Sequence, residues 1–124
     1  MTSQRQSLRA VLAMSLLIAA GCGGSPGEET TSAEATIRGV VKLDGKPATE
    51  GEIVFDPSNY KRPAPQSKAT IGKDGTYEVK TLAGQNVVFL GGTLARKYGI
   101  LQRRRKNFTA TAGDNTFDFE TETK

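Results

Sequence analysis

The chain of 124 residues carries seventeen Lys and Arg against thirteen Asp and Glu, a formal net charge of +4, and its aromatic residues are five Phe and three Tyr. It has no His and one Cys, which excludes His-based acid–base catalysis, Ser-His-Asp and Cys-His triads, His-ligated zinc and an intrachain disulfide. The length predicts one small domain, and the many Gly and Thr residues favour strands and turns over helices.

The first 21 residues have the pattern of an export signal. Arg5 and Arg9 form a positive N-terminal region, and residues 10–20 form an apolar run. Eleven helical residues span only about 16 Å, roughly half of a hydrocarbon core of ~30 Å. The run therefore predicts the apolar region of a signal peptide rather than a transmembrane anchor.

The end of this run, Ile-Ala-Ala-Gly-Cys at residues 18–22, resembles the bacterial lipobox. The resemblance implies cleavage between Gly21 and Cys22, diacylglycerol on the Cys22 thiol and acylation of the new N-terminus. We expect residues 1–21 to be a lipoprotein signal peptide and the mature chain to be held on the extracytoplasmic side of a membrane by lipid. The alternative is an ordinary secretory peptide that leaves an incidental cysteine.

The segment that follows Cys22 has the composition of a tether. Up to residue 35 it is rich in Gly, Ser, Thr, Pro and Glu, and such sequences cannot bury enough apolar surface to fold. A flexible chain of this length spans about 20 Å. We therefore predict a lipidated cysteine and flexible linker over residues 22–35, followed by a folded domain over residues 36–124.

The rest of the chain alternates apolar and polar residues with the period of β-strands. Asp44-Gly45 is a strong hairpin signal, whereas three prolines make residues 57–66 a loop. The apolar run 86–90 predicts a strand covered on both faces. The predicted strands are 36–43, 51–56, 67–71, 76–80, 86–90, 107–112 and 115–121. Six or seven short strands with almost no helix predict an all-β fold, a single small two-sheet β-sandwich.

Three of these stretches, residues 39–47, 51–55 and 69–79, resemble a carboxypeptidase regulatory-like domain, which is a transthyretin-type (prealbumin-like) β-sandwich. The tail from residue 95 to 119 resembles the last strands of small lipoproteins of this type. The resemblance implies the fold and implies no catalytic residue, because its signature positions are turn glycines, turn aspartates and core apolar residues. The chain departs from the pattern at Ile71 and in the basic residues 103–106.

The most distinctive local feature is a basic segment. Six of the seventeen Lys and Arg lie in eleven residues without an acid, namely Arg96, Lys97, Arg103, Arg104, Arg105 and Lys106. Such a cluster attracts anionic headgroups or acidic glycans by roughly 1 kcal/mol per cation near the surface. Nucleic acid is not expected as a partner, because the compartment and the lack of interleaved aromatic residues argue against it. The alternative is a solvated loop without a ligand.

The last predicted strand carries a row of acids. Asp118, Glu120 and Glu122 alternate with apolar residues, so we predict that they share the outward face. One strand face supplies ligands from one direction only, which disfavours calcium, and we expect pairing with Arg38 and Lys42 instead. We predict no metal site, no cofactor and no catalytic residue.

These observations favour a non-enzymatic, lipid-anchored module of the cell envelope that binds an anionic surface, a glycan or an unknown protein partner through loops 57–66 and 91–106. A first alternative is a carbohydrate-binding accessory domain in which Tyr60 and Tyr98 stack on sugar rings from one flat surface. A second is a carboxylate-based hydrolase, which would need two carboxylates about 5–9.5 Å apart in one pocket.

Overall fold

The structure, a computed structural model, describes residues 31–59 and 61–124. The predicted signal peptide 1–21, the cleavage site at Gly21 and Cys22, most of the linker and Tyr60 lie outside the described residues. Within the described part of the chain, no helix is long and apolar enough to cross a membrane.

The described chain forms nine short strands, one α-helix and one 3₁₀ helix. In chain order they are β1 (Glu34–Leu43), β2 (Lys46–Pro47), β3 (Glu52–Asp56), β4 (Ser67–Thr70), β5 (Thr76–Leu82), β6 (Gly84–Gly91), α1 (Gly92–Lys97), the 3₁₀ helix (Gly99–Arg103), β7 (Lys106–Ala110), β8 (Gly113–Thr116) and β9 (Phe119–Thr121).

The strands form two sheets around one core, which confirms the predicted two-sheet β-sandwich. In the first sheet β1 is central: β5 and β2 pair with it antiparallel on one edge, and β8 and β9 pair with it parallel on the other. The second sheet has the order β4-β3-β6-β7, all antiparallel. The sheets enclose a buried apolar cluster whose largest members include Phe55, Phe119, Ile37, Ile53 and Leu90.

The predicted hairpin at Asp44-Gly45 is confirmed. Asp44 has φ +52° and Gly45 has φ +81°, and a two-residue turn with both φ angles positive matches the twist of its flanking strands. Leu43 then pairs with Lys46. The Asp44 carboxylate also accepts hydrogen bonds from the backbone amide of Thr123, at 3.1 Å, and from its hydroxyl, at 2.6 Å. The turn is therefore tied to the C-terminal segment.

The domain begins earlier than predicted. Glu34 and Ala35, assigned to the linker on composition, are the first residues of β1, where they pair with Leu82 and Thr81 of β5. Ala35 is 1 % exposed and belongs to the core. The composition was misleading because backbone pairing, rather than apolar side chains, holds this end of the strand.

The last predicted strand, 115–121, is interrupted. β8 and β9 share one register against β1, but Phe117 and Asp118 lie between them outside the ladder. A Cβ added at Gly39 would lie 1.8 Å from the carbonyl oxygen of Phe117, so the backbone crosses Gly39 where the ladder breaks. The Asp118 carboxylate accepts the Val40 amide at 2.9 Å and so satisfies a donor that the break leaves open.

Two further predictions need correction. Residues 91–106, predicted as a loop, contain α1 and the 3₁₀ helix, because the buried side chains of Leu94, Ala95 and Leu101 hold them against the core. The strand 86–90 was predicted to be covered on both faces. Its inner face is buried, but Val87 and Phe89 on its outer face are only half-buried.

The sandwich has two distinct ends. The tether end holds Thr31, the start of β1, the loop 57–66 and the turn at Ala83. The far end holds the end of β1, the turn 71–75, the end of β6 at Gly91, and the two helices that follow it. β1 runs the whole distance between the two ends.

Candidate functional site

The basic segment lies on the two short helices at the far end and on the strand that follows. α1 carries Arg96 and Lys97 in its last turn, and the 3₁₀ helix ends at Arg103. The buried side chains of Leu94 and Leu101 anchor these helices, so the cations between and after them project from a fixed support. All six predicted basic residues are exposed.

None of these six cations forms an ion pair within residues 31–59 and 61–124. Ion pairs are formed instead by Arg38, with Glu78 at 2.9 Å and Asp114 at 3.1 Å. No acidic residue occurs in the sequence between Glu78 and Asp114. No side-chain carboxylate of the described residues is ion-paired with the segment, although Asp56 lies within range of the charge of Arg105.

Two of the six residues also have structural contacts with the last strand. Lys106 Nζ donates to the carbonyl oxygen of Glu120 and lies 5.1 Å from the centre of the Phe119 ring. Arg104 Nη2 donates to the carbonyl oxygen of Lys124 at 3.0 Å. Lys106 alternates with Phe108 and Ala110 on β7, so part of its exposed side chain lies along the edge of the core.

We therefore restrict the name "basic surface" to Arg96, Lys97, Arg103, Arg104 and Arg105. Beside it lies a shallow pocket of about 250 Å³, lined by Phe89, Leu90, Gly91, Ala95, Gln102 and Arg105. The Arg105 guanidinium lies 4.3 Å from the centre of the half-buried Phe89 ring, a cation–π contact that holds the charge above the outer face of the second sheet.

The field of Arg105 reaches Asp56 at the end of β3. Partial burial alone would raise the pKa of Asp56, but hydrogen bonds from Ser58 and Gln66, together with the charge of Arg105, lower it below its ordinary value. No ion pair joins Arg105 and Asp56 in the described chain.

The structure describes one residue of the predicted sugar-stacking pair. Tyr98 lies at the far end, half-buried against the core, with Lys97 Nζ 5.4 Å from its ring centre. Tyr60 is outside the described residues, and its chain neighbours Asn59 and Lys61 belong to the loop at the tether end.

The acidic row pairs differently from the prediction. Arg38 is ion-paired, but its partners are Glu78 on β5 and Asp114 on β8 rather than Asp118. The reason is the register, which places Arg38 opposite Glu78 on one side and beside β8 on the other. Glu120 lies opposite Lys42 in the β1–β9 pairing. Among the described residues, no three potential metal ligands cluster.

A groove of about 620 Å³ crosses the outer face of the first sheet, and Glu78 and Asp118 both line it. The Glu78 side chain is 54 % exposed and bound to Arg38, whereas Asp118 is occupied by the Val40 amide. Burial and the charge of Asp118 raise the pKa of Tyr77 above its ordinary value, and the Tyr77 hydroxyl donates to the Phe117 carbonyl. Each of these three side chains therefore has a hydrogen-bond partner within the fold.

One buried charged residue, Arg62, was not singled out from the sequence. It is 6 % exposed, and its guanidinium donates to Pro57 O at 2.7 and 3.1 Å, to Ala83 O at 2.7 Å and to Thr31 O at 2.9 Å. It therefore joins the loop 57–66, the β5–β6 turn and the entering N-terminal segment. An arginine in a proline-rich loop carries no sequence signal of burial, because its acceptors are backbone carbonyls that every residue has.

No family model and no curated protein sequence matches the chain. Among solved structures, the chain is similar to a DUF3823 family protein from Parabacteroides merdae, with 13 % identity and a TM-score of 0.54 over 73 % of this chain and 46 % of that protein. The chain thus spans about half the length of that protein. The similarity supports the β-sandwich fold and nothing further.

Two other solved structures are more distantly similar. A DUF3823 family protein from Bacteroides ovatus has 14 % identity and a TM-score of 0.46 over 70 % of this chain and 42 % of that protein. The dioxygenase domain of a dioxygenase carbohydrate-binding protein fusion from Streptomyces sp. SirexAA-E has 15 % identity and a TM-score of 0.44 over 77 % of this chain and 84 % of that domain.

Proposed function

We propose that the chain is a lipid-anchored, non-enzymatic module of the cell envelope that binds anionic ligands through the basic surface. The observation that carries the proposal is that two short helices, packed on the core, and the two residues after them carry five exposed cations without an ion-paired Asp or Glu side chain in the described chain. Arginine guanidinium groups suit this role because their planar donors match carboxylate and phosphate oxygens.

The finer identification as a carboxypeptidase regulatory-like sandwich belongs to the same proposal. Its support is the sequence pattern of residues 39–47, 51–55 and 69–79, in which Asp44 and Gly45 form a tight turn and Phe55 and Tyr77 are buried. In this interpretation the domain contributes binding and spacing, and any chemistry belongs to other proteins.

The lipid anchor is tested by Cys22→Ser in the full chain. The wild-type protein should partition into detergent and take up a labelled fatty acid, since two or more acyl chains give stable membrane attachment. The variant should be unlabelled and aqueous. Wild-type protein found wholly in the aqueous phase would contradict the anchor.

Anion binding is tested by reversing three charges, Arg103, Arg104 and Arg105 to Glu, and measuring adsorption to vesicles containing phosphatidylglycerol and to an acidic polysaccharide. Binding should be lost, and wild-type binding should weaken between low and physiological salt because exposed charges are screened over about 8 Å at 0.15 M.

The matched control for this triple variant changes Lys68, Lys73 and Lys80 to Glu. These lysines are exposed and lie on β4, in the 72–75 turn and on β5. It changes the net charge equally at other places, so it should retain binding. Equal loss in both variants would mean that total charge, rather than the basic surface, attracts the anion. Thermal unfolding shows whether the loss of the Arg104 and Arg105 contacts changes stability.

A further inference from the structure

Half-buried apolar side chains lie among the cations of the basic surface. Tyr98 and Ile100 stand in the chain between Lys97 and Arg103, and both are half-buried. The Tyr98 ring packs against the core, whereas Ile100 is not among the described residues that do so. Core packing therefore does not account for an apolar residue at position 100.

The 3₁₀ helix sets the direction in which Ile100 points. With three residues per turn, positions i and i+3 lie on the same face, so Ile100 and Arg103 share one face of this helix. The other two faces are occupied, because Leu101 is buried in the core and Gln102 lines the pocket beside Phe89. Ile100 and Arg103 thus point away from the core and from that pocket, and place an apolar group next to a cation.

The part of the chain that carries this face protrudes from the domain. All the residues from 102 to 107 are exposed, and the adjacent pocket, of about 250 Å³, is shallow. The Arg105 guanidinium over the Phe89 ring extends the same combination of cation and apolar group onto the outer face of the second sheet. Small ligands bind in concave sites, so a protruding surface of this kind suits a broad, deformable partner.

We infer that the basic surface binds an anionic phospholipid membrane, with Ile100 entering the interface between the headgroups and the acyl chains. This rests on the proposed function in one respect, anion binding by the basic surface, and it deepens that function by naming the ligand. A bilayer presents anionic headgroups directly above an apolar layer, so one partner attracts the cations and takes up the apolar side chain. The half-buried Tyr98, with an apolar ring and a polar hydroxyl, suits the same depth.

Two other classes of anionic partner fit the surface less well. A polyanionic glycan would attract the cations, but it has no apolar layer to take up Ile100. The centre of a protein interface is depleted of charged residues, whereas here Lys97 and Arg103 flank the apolar side chain three positions away on either side. The combination of charge and apolar side chain therefore favours the membrane.

The membrane contact is tested with a single Trp, because the sequence contains none. The Ile100→Trp variant and its matched control, Ala112→Trp in the exposed turn after β7, are made in the full chain with Cys22→Ser, so that no lipid anchor contributes. With vesicles of equal parts phosphatidylglycerol and phosphatidylcholine, the emission of the Ile100→Trp variant should shift to shorter wavelength and be quenched by brominated acyl chains. The control should show neither effect, and vesicles of phosphatidylcholine alone should shift neither variant.

The outcomes separate this inference from the function on which it rests. Adsorption to the mixed vesicles without a shift in the Ile100→Trp variant, or an equal shift in both variants, would overturn the inference and leave anion binding intact. A chain that adsorbs neither to these vesicles nor to polygalacturonate would overturn the proposed anion binding, and the inference with it.

Lipid is distinguished from glycan by Ile100→Ser in the same Cys22→Ser chain. Its matched control is Val40→Ser, at a half-buried apolar residue on the outer face of the first sheet. Ile100→Ser should weaken adsorption to the mixed vesicles by about fivefold, since half of an Ile side chain no longer leaves water. Its binding to polygalacturonate should stay within about twofold, because the cations are unchanged.

Val40→Ser should change neither measurement, and thermal unfolding checks that both variants fold. Equal losses of vesicle adsorption in the two variants, or unchanged adsorption in Ile100→Ser, would overturn the inference. Binding of the parent chain to polygalacturonate but not to the mixed vesicles would identify a glycan as the ligand and overturn it as well. If Ile100→Ser does not fold, the Trp variants alone decide.

Discussion

Replacing Arg62 by Met should destabilise the domain by about 2–4 kcal/mol. The guanidinium makes four hydrogen bonds to three carbonyl oxygens, two of them, on Pro57 and Ala83, in buried surroundings. A buried acceptor that loses its donor costs about 1–3 kcal/mol. Against this, the variant no longer has to desolvate a cation, and water can reach the third acceptor, on Thr31, which is only partly buried. The free energy of unfolding should therefore fall, because two buried carbonyl oxygens lose their hydrogen-bond donor and this outweighs the two opposing effects.

The measurement is thermal and urea unfolding of the purified protein. For a domain of this size, 2–4 kcal/mol corresponds to a fall in Tm of roughly 10–25 °C. Arg62→Lys keeps the charge but has one point donor group instead of a planar fork, so its Tm should lie between those of the wild type and the Arg62→Met variant. An Arg62→Met variant within about 0.5 kcal/mol of wild type would refute the reasoning, because it would show that water replaces the guanidinium at all three carbonyls.

Three further perturbations test the sandwich. Phe119→Ala, at a side chain with 0 % exposure, should cost about 3–5 kcal/mol in urea unfolding, and a cost below about 1 kcal/mol would contradict its place in the core. Gly39→Ala should destabilise by about 1–3 kcal/mol, because its Cβ would clash with the backbone carbonyl that crosses it; Gly99→Ala, which meets no atom within 4 Å, is the neutral control. The hydroxyl and amide of Thr123 lower the pKa of Asp44, so this carboxylate stabilises the fold above about pH 4 and loses that effect as the pH falls toward its lowered folded-state pKa. Thr123→Val should therefore show a shallower fall of Tm than wild type between about pH 5 and 3, and identical slopes would exclude the contribution.

The sequence was sufficient for the fold because strand period and turn chemistry act locally. Alternation placed Ile37 and Val41 on the inner face of β1, and the positive φ angles that Asp44 and Gly45 tolerate made the first hairpin. The sequence did not predict features that depend on a contact with a residue far away in the chain. The break between β8 and β9 depends on Gly39, about eighty residues earlier, and no local pattern indicates which carbonyl will cross a glycine.

The two helices of the basic segment could not be predicted from the sequence for a different reason. α1 and the 3₁₀ helix are short and have no side-chain cap, and helices of this length are unstable alone. They exist because Leu94 and Leu101 fill the far end of the core, which is a tertiary effect. The sequence indicated that the cations of the candidate site are exposed, but not that two short helices packed on the core carry three of them.

The residues of the basic segment fall into two groups according to their contacts with the C-terminal segment. Arg104 and Lys106 donate to backbone carbonyls of the C-terminal segment, whereas Arg96 and Arg103 make no hydrogen bond to it in the described chain. β7 and β9 belong to different sheets and share no ladder, so the Lys106 ammonium group links the sheets at an edge where backbone pairing does not. Replacing Lys106 should therefore lower the stability of the domain. Replacing Arg96 or Arg103 should instead weaken anion binding, because exposed side chains without partners contribute little to stability. Outside this segment and the predicted signal peptide, the chain has nine basic and thirteen acidic residues, so its positive charge is concentrated in this segment.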